Sequence, residues 1–185
     1  MMEPTRREQL LNLAEHVLER DGLEEFGVGA LAREAGVKAP SLYKHFDGID
    51  DIRNALVARG LRRFAAALTA GDECTSPSDP GTRGATFVNA YRAYARASPA
   101  LYRLMTEYPL DRARLEPGAE DAAMAPLLAL LGEDAREHHR ARAAWAWMHG
   151  LVTLEIAARF PDDADVDAAW QVLKTTLDAW AAPTV

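Results

Sequence analysis

The sequence predicts an all-α protein with about nine helices. Apolar residues make up 49% of the 185-residue chain, yet they form no alternating β-branched runs of the kind that strands contain. They recur instead at helical spacing, and proline, glycine and small polar residues separate the helical stretches. We therefore expect an N-terminal three-helix head at residues 1–63 and a C-terminal helical domain at residues 64–185. The start of a fourth helix would connect them.

Four helices are expected before a polar loop at residues 71–81. Pro4 and Thr5 give a start signal for the first helix, and Gly22 gives a stop signal. Gly36 permits the positive φ of a sharp turn after the second helix. Pro40 suits the first turn of the third helix, where a missing N–H costs little. The expected spans are 5–21, 28–35, 39–46 and about 50–70.

Five more helices are expected after the loop. Ser98 and Pro99 mark one start, and Pro161 marks one end. Pro126 is expected to kink or split the helix that contains it. The expected spans are 86–97, 99–108, about 120–131, about 135–159 and about 165–180.

Composition and charge exclude several classes of protein. No run approaches the ~18 apolar residues of a membrane span, and the N-terminus lacks the apolar core of a signal peptide. Cys74 is the only cysteine, which excludes an internal disulfide and a thiolate zinc cluster, and the cytoplasm is the expected compartment. The net charge of −7 comes mainly from residues 64–185, with 11 Lys and Arg against 17 Asp and Glu. Residues 1–63 hold 10 against 11, so a local basic face remains possible there.

Residues 28–46 have the pattern of a helix-turn-helix. Their apolar positions can meet in a small core, which leaves one side of the second helix outward, and such a helix can enter the major groove of DNA. The expected core positions are Leu31, Ala32, Ala35, Val37, Leu42 and Phe46. The outward candidates for DNA contact are Lys38, Ala39, Ser41, Tyr43, Lys44 and His45.

Several DNA-contact candidates have plainer interpretations. The outward set could be an ordinary exposed polar face, and His45 could instead make a hydrogen bond that closes the turn. Arg6 and Arg7 could form a flexible basic arm for the minor groove, or a solvated N-terminus. Arg33 could contact the DNA backbone or pair with Glu34.

The head resembles the N-terminal domain of the tetracycline-repressor (TetR) family. The resemblance rests on Ala32-Arg-Glu-Ala-Gly-Val37 and Leu42-Tyr-Lys-His-Phe46, and it covers residues 5–63. It implies a homodimeric DNA-binding regulator, most often a repressor. Four positions depart from the usual family pattern, in which a serine or threonine cap, a serine, a proline and a lysine are common. These positions are Gly27, Lys38, Asp47 and Ile49.

The C-terminal region carries a weaker resemblance. Residues 99–108 and 145–155 are similar to the ligand-binding domains of TetR relatives with a Trp-His-Gly signature, here interrupted by Met148. Aromatic and methionine side chains of this region could line an apolar ligand pocket or simply fill the core. The candidates for ligand binding are Tyr94, Tyr102, Met105, Trp147 and His149.

The last two helices suggest self-association. Residues 145–160 are apolar on nearly every side, and a helix of that kind needs partners on more than one face. A four-helix bundle with two helices from each subunit would supply them, whereas the alternative is a monomer that buries both helices itself. The candidate dimer contacts are Trp145, Val152, Ile156, Trp170, Leu173, Leu177 and Trp180.

Together these features indicate a ligand-responsive transcriptional regulator. The homodimer would bind a palindromic double-stranded DNA operator with its recognition helices ~34–36 Å apart, and a small-molecule inducer would release it. No cofactor, metal or enzymatic activity is expected, because the adjacent His138 and His139 diverge on a helix and no catalytic arrangement is found. The alternatives are an activator, a ligand-binding protein with a weakened DNA head, and an enzyme that uses His149 in an apolar cavity.

Overall fold

A computed structural model describes residues 4–73, 83–109, 111–132 and 135–181. These ranges contain nine α-helices and no strand, which confirms the predicted all-α fold. No helix in these ranges combines the length and apolar character needed to cross a membrane. Cys74 and most of the predicted 71–81 loop lie outside the described residues. The helices are Arg6–Glu25 (α1), Val28–Glu34 (α2), Ala39–Leu42 (α3), Ile49–Glu73 (α4), Arg83–Ala97 (α5), Pro99–Glu107 (α6), Ala119–Leu131 (α7), Ala135–Ile156 (α8) and Val166–Ala181 (α9).

The chain forms two compact units. The first contains Met1–Arg62 and Ser98–Ala119, and the second contains Arg63–Ala97 and Glu120–Val185. Residues 98–119 belong to the first unit, although the sequence predicts them in the C-terminal domain. The assignment of residues 64–185 as the functional C-terminal domain therefore stays a prediction. Within this range, α6 packs with the head.

A capping box starts α1. The Thr5 hydroxyl accepts a hydrogen bond from the Glu8 backbone N–H at 3.3 Å, and the Glu8 carboxylate accepts one from the Thr5 N–H at 2.7 Å. These backbone and side-chain hydrogen bonds from Thr5 lower the pKa of Glu8. Gly22, at φ 80° and ψ 170°, interrupts the helix where the sequence predicted a stop, and helical residues continue to Glu25.

The third helix is shorter than predicted. It ends at Leu42, and residues 43–45 form turns rather than the expected continuation to Phe46. The Leu42 carbonyl accepts hydrogen bonds from both the His45 and Phe46 N–H groups, at 2.9 and 3.0 Å. This shared acceptor tightens the last turn, as commonly occurs where a helix ends.

Helix α6 is held in the first unit at its N-terminus and in its middle. The Glu19 carboxylate of α1 accepts the Ala100 and Leu101 N–H groups at 3.1 and 2.9 Å, which satisfies two of the free donors at a helix start. Gly60 of α4 lies so close to α6 that a Cβ added there would meet the Met105 sulfur at 2.5 Å. These contacts account for the presence of α6 in the head core.

Helices α5, α8 and α9 pack together in the second unit. The Asp178 carboxylate accepts the Gly84 and Ala85 N–H groups at the start of α5, at 2.8 and 3.3 Å. A Cβ on Gly84 would lie 2.7 Å from the Asp178 backbone nitrogen, so the two helices cross very closely. Pro126 lies inside α7 without splitting it, because the burial of Leu127 and its neighbours offsets the lost hydrogen bond.

Candidate DNA-binding surface

The helix-turn-helix core forms as the sequence predicts. Leu31, Ala32, Leu42 and Phe46 are buried in the first unit, and Ala35 and Val37 pack against them partly exposed. Gly36 has a φ of 64°, which glycine adopts without strain. The Val37 N–H donates to the Ala32 carbonyl at 3.0 Å, and this bond closes the turn between α2 and α3.

The outward residues divide into an exposed and a half-buried group. Lys38, Tyr43 and Lys44 are exposed, and Tyr43 has 57% of its surface free, which is unusual for a large aromatic residue. Ala39, Ser41 and His45 are half-buried. Because α3 ends at Leu42, Tyr43 and Lys44 project from the turn that follows the helix and not from the helix itself.

The N-terminal arginines lie on α1. Arg7 places its guanidinium 4.8 Å from the centre of the Phe46 ring and 3.4 Å from the Asp51 carboxylate. Arg6 donates to the Gln9 side chain at 3.2 Å. Both residues belong to the first helical turn, so the flexible-arm interpretation is wrong for the part of the chain that the structure describes. Their exposed positions still permit contact with DNA.

The plainer alternative for Arg33, an ion pair with Glu34 or a neighbour, does not involve Glu34 in the described residues. The Glu34 carboxylate instead accepts from Arg20 at 2.6 Å, and Arg20 also pairs with Asp21. The hydrogen bonds to Asp21 and then Glu34 raise the pKa of Arg20. Arg33 is exposed at the end of α2, where it can meet a phosphate group.

The start of α4 is acidic. Asp50 and Asp51 lie in its first turn, next to Ile49, where the sequence analysis noted the absence of a usual family lysine. The Asp51 carboxylate accepts the Asp47 N–H at 3.1 Å and so caps the turn before the helix. A phosphate group close to this turn would meet carboxylates in place of a lysine.

The five ligand-binding candidates are divided between the two units, and their common assignment to one pocket stays a prediction. Tyr102 and Met105 belong to the first unit, and Tyr94, Trp147 and His149 belong to the second. Tyr94 packs edge-on against the Phe64 ring at 5.1 Å. Trp147 is exposed on α8, so its assignment to a pocket is wrong for the isolated chain, since Met148 takes the inward position.

His149 lies beside Trp145 on α8. The two rings stack at 5.8 Å, and the His149 Nδ1 lies 3.5 Å from the Thr153 hydroxyl.

The second unit contains a small cavity that sequence reasoning missed. Its volume is about 80 Å³, well below the ~300 Å³ of ordinary ligand pockets. Phe87 had appeared in the sequence only as one of many apolar aromatic residues, and spacing along the chain could not bring α4, α5 and α7 together. The lining residues are Leu68, Thr69, Arg83, Phe87, Pro126, Ala129 and Leu130.

The predicted dimer contacts are mostly internal. Val152, Trp170, Leu173 and Leu177 are fully buried within the second unit of a single chain, and this corrects their assignment to a subunit interface. The amphipathic stripe of α9 points toward α5, which covers it. Ile156 and Trp180 are half-buried, and Trp145 is exposed.

A polar network fixes the buried side of α9. The Glu155 carboxylate accepts hydrogen bonds from Arg92 at 2.8 and 2.9 Å and from the Trp170 indole at 3.0 Å. Burial would raise the pKa of Glu155, but the hydrogen bonds from Arg92 and Trp170 outweigh it and the pKa is lowered. The same contact with Glu155 raises the pKa of Arg92.

The described residues contain no group of three or more His, Cys, Asp or Glu side chains that could hold a metal ion. His138 and His139 lie side by side on α8, as expected. The expectation that the protein functions without a bound metal stays a prediction.

Two family profiles match the chain. Residues 10–56 match the profile described as bacterial regulatory proteins of the tetR family, and residues 85–177 match the tetracyclin repressor-like C-terminal domain. The curated protein named "Uncharacterized HTH-type transcriptional regulator Rv0681", from Mycobacterium tuberculosis, is 31% identical over 169 residues. That alignment covers 89% of this chain and 76% of the relative.

Solved structures share the fold along nearly the whole chain. A protein of unknown function from Rhodococcus sp. RHA1 is 28% identical with a TM-score of 0.78, and the alignment covers 96% of this chain and 95% of that one. A TetR variant from Acinetobacter baumannii in complex with minocycline is 18% identical with a TM-score of 0.67, and 96% of each chain is covered. The helix-turn-helix geometry, the two profile matches and the Mycobacterium relative all agree. They show that the chain belongs to the TetR family of transcriptional regulators.

Proposed function

We propose that the protein is a repressor that binds a palindromic DNA operator as a homodimer and leaves it when a small molecule binds the C-terminal region. Membership of the TetR family makes the chain a non-enzymatic DNA-binding regulator. The observation that carries the proposal is the exposure of Lys38, Tyr43 and Lys44 at the two ends of α3. A regulator of this kind acts where the chromosome lies, so we place it in the cytoplasm.

Lys38 and Lys44 supply the phosphate contacts in this proposal. They flank α3, which is only four residues long, so the two ammonium groups and the Tyr43 hydroxyl approach the duplex from one short segment. Ala39 and Ser41 are small enough to let the backbone approach base edges closely. Arg6, Arg7, Arg33 and His45 are assigned to contacts at the border of this surface.

The dimer surface is the uncharged face of α8 and α9. On α9, four uncharged residues that follow one another at intervals of four, three and four positions are exposed. One of them, Val172, has 57% of its surface exposed. On α8, Trp147 and Leu154 are exposed at compatible spacing. Faces of this composition on neighbouring helices are suited to a second copy of the chain in a four-helix bundle. The α9 face comprises Ala168, Val172, Thr175 and Ala179.

The inducer site is assigned to the second unit. The cavity beside Phe87 is apolar and nearly closed, and enlargement would be needed before a drug-sized ligand could enter. A ligand that binds the enlarged form more tightly would shift the protein toward it. The Acinetobacter relative in complex with minocycline supports a small-molecule effector for this chain.

A small-molecule-binding helical protein with a weakened DNA head is the second candidate. Gly27 provides no side-chain cap for α2, and Asp50 and Asp51 occupy the first turn of α4. These acidic residues disfavour a phosphate contact at this helix start. An activator would use the same DNA surface as a repressor. The two would differ only in where the operator lies relative to the promoter.

Replacing Tyr43 and Lys44 together by alanine tests the DNA surface. Each Lys44 that contacts a phosphate adds about 0.9 to the slope of log affinity against log salt, so a dimer should lose about two units of slope. Lys174→Ala on α9 removes the same charge from the second unit and should leave binding unchanged. Equal affinity of the double variant and wild type would refute the assignment.

Val172→Glu tests the dimer surface. Val172 is exposed in the single chain, so a glutamate there is tolerated by the monomer but costly in an apolar interface. Sedimentation should show a dimer for wild type and a folded monomer for the variant. Asp163→Lys, at an exposed site outside the two helices, is the control, and a dimeric Val172→Glu variant would contradict the proposal.

A further inference from the structure

The segment that carries Tyr43 and Lys44 is a turn, here called the recognition turn (residues 43–47). Helix α3 ends at Leu42, so the regular ladder of helical hydrogen bonds does not fix these two exposed side chains. Their positions depend on how the turn is held at its two ends. The Leu42 carbonyl holds the first end, because it accepts the N–H groups of residues 45 and 46.

Asp51 holds the second end of the recognition turn. It lies in the first turn of α4, and its Oδ2 accepts the Asp47 backbone N–H at 3.1 Å. Its Oδ1 lies 3.4 Å from Nη2 of Arg7 on α1. Each carboxylate oxygen thus has its own partner, and one side chain on α4 contacts both the recognition turn and α1.

The contact with Asp51 places Arg7 without blocking it. The Arg7 guanidinium also lies 4.8 Å from the centre of the Phe46 ring, which is buried in the head core. Asp51 receives one of the five N–H donors of the guanidinium. Because 45% of the Arg7 side chain is exposed, its other donors remain accessible to a phosphate group.

We propose that Asp51 is a positioning residue for DNA binding, which holds the recognition turn and Arg7 in the arrangement that meets the duplex. This inference rests on the proposed DNA surface. A segment that is already ordered loses less conformational freedom on binding, so a pre-formed turn raises affinity.

The negative charge of Asp51 makes the proposal testable. A carboxylate near the duplex repels phosphate groups, so simple repulsion predicts tighter DNA binding when Asp51 is neutralised. A positioning role predicts the opposite result, because the recognition turn and Arg7 lose the group that holds them.

Asp51→Ala removes both contacts. Its DNA affinity is measured by fluorescence anisotropy at several salt concentrations, with a labelled duplex that the wild-type protein selects from a random-sequence pool. Binding should weaken about tenfold or more, as expected when a capping hydrogen bond is lost in each subunit of a dimer. The slope of log affinity against log salt should also fall by about two units, because one Arg7 in each subunit no longer neutralises a phosphate. A protein that is merely less folded would bind less without a change of slope.

Two further variants separate position from charge. Asp51→Asn keeps an oxygen that can accept the Asp47 N–H, so it should bind DNA more tightly than Asp51→Ala, although both lack the charge. Asp50→Asn removes the same charge one position away, from a side chain that is 67% exposed and pairs with Arg53 instead. This control should bind at least as tightly as wild type.

The outcomes for Asp51 and for the proposed function can be told apart. If wild type selects no DNA from the pool, the proposed function fails and this inference fails with it. If wild type binds, the inference alone is overturned when Asp51→Ala binds as tightly as wild type, when its salt slope is unchanged, or when Asp51→Asn and Asp51→Ala bind equally. Thermal melting checks the fold of each variant. Should Asp51→Ala fail to fold, Asp51→Asn must bind more weakly than Asp50→Asn, and equal binding of these two would overturn the proposal.

Discussion

Replacement of Glu155 by glutamine should destabilise the second unit markedly. Glu155 joins three helices, because its carboxylate on α8 receives Arg92 from α5 and the Trp170 indole from α9. Both members of the ion pair are largely buried, with 18% of the Arg92 side chain and 16% of the Glu155 side chain exposed. Glutamine keeps the size of the side chain but removes its charge and one acceptor.

The magnitude follows from what glutamine retains. Complete removal of one partner from a buried ion pair costs about 3–5 kcal/mol, and one hydrogen bond to a charged group contributes about 1.5–3 kcal/mol. Arg92 keeps Asp167 as a second partner at 2.6 Å, so its charge is not left unpaired. We therefore expect a loss of about 2 kcal/mol in the free energy of unfolding.

Urea unfolding followed by circular dichroism measures this loss of free energy of unfolding. All variants are compared at one protein concentration, because a dimer becomes more stable as its concentration rises. Asp167→Asn is the matched control, since it removes a charge from the same arginine but at a site that is 81% exposed. The control should lose much less stability than Glu155→Gln, because water screens an ion pair at so exposed a carboxylate. If Glu155→Gln costs no more than Asp167→Asn, the network does not stabilise the fold in the way described.

Three further tests address the pH dependence of this network and two other parts of the structure. The pKa of Glu155 is lowered from its ordinary value of 4.5, so the ionised carboxylate stabilises the fold above pH 4.5 and this stabilisation is lost as the pH falls through the folded-state pKa. The free energies of unfolding of wild type and Glu155→Gln should therefore converge in acid. A difference that stays constant with pH would contradict this. Gly84→Ala should lower the free energy of unfolding by about 1–3 kcal/mol, because its Cβ would meet the α9 backbone. Gly29→Ala, whose Cβ would have open space, should not destabilise the protein. Equal melting temperatures of the two variants would refute the close crossing of α5 and α9. Gly27→Ser should raise stability by about 0.5 kcal/mol through a new cap on α2, and a lower melting temperature would show that the cap does not form.

Local sequence signals predicted the helices and the turn well. Gly22 and Gly36 do adopt positive φ, and the Thr5 start signal is a complete capping box, because these features depend on neighbouring residues alone. The end of α3 was placed four residues too late. The residues from Tyr43 to Phe46 have no helix-breaking residue among them, and the shared acceptor at Leu42 depends on how Phe46 enters the core.

Long-range packing was harder to predict. The stripe containing Trp170 and Leu173 was correctly identified as apolar, but periodicity cannot distinguish a helix of the same chain from a second subunit as its partner. The packing of residues 98–119 with the first unit could not be predicted for a similar reason, because Glu19 and Ala100 are 81 positions apart. The exposed α9 face was not predicted from the sequence, because alanine and threonine contribute little to an apolar pattern.

The central claim is tested most directly by a nuclease footprint on the DNA that flanks the gene, at low and moderate salt. Wild-type protein should protect two half-sites whose centres lie about one helical turn, ~34–36 Å, apart. The Tyr43 and Lys44 double variant should protect neither half-site while remaining a dimer. A footprint that survives in the double variant, or no wild-type footprint at low salt, would contradict the account.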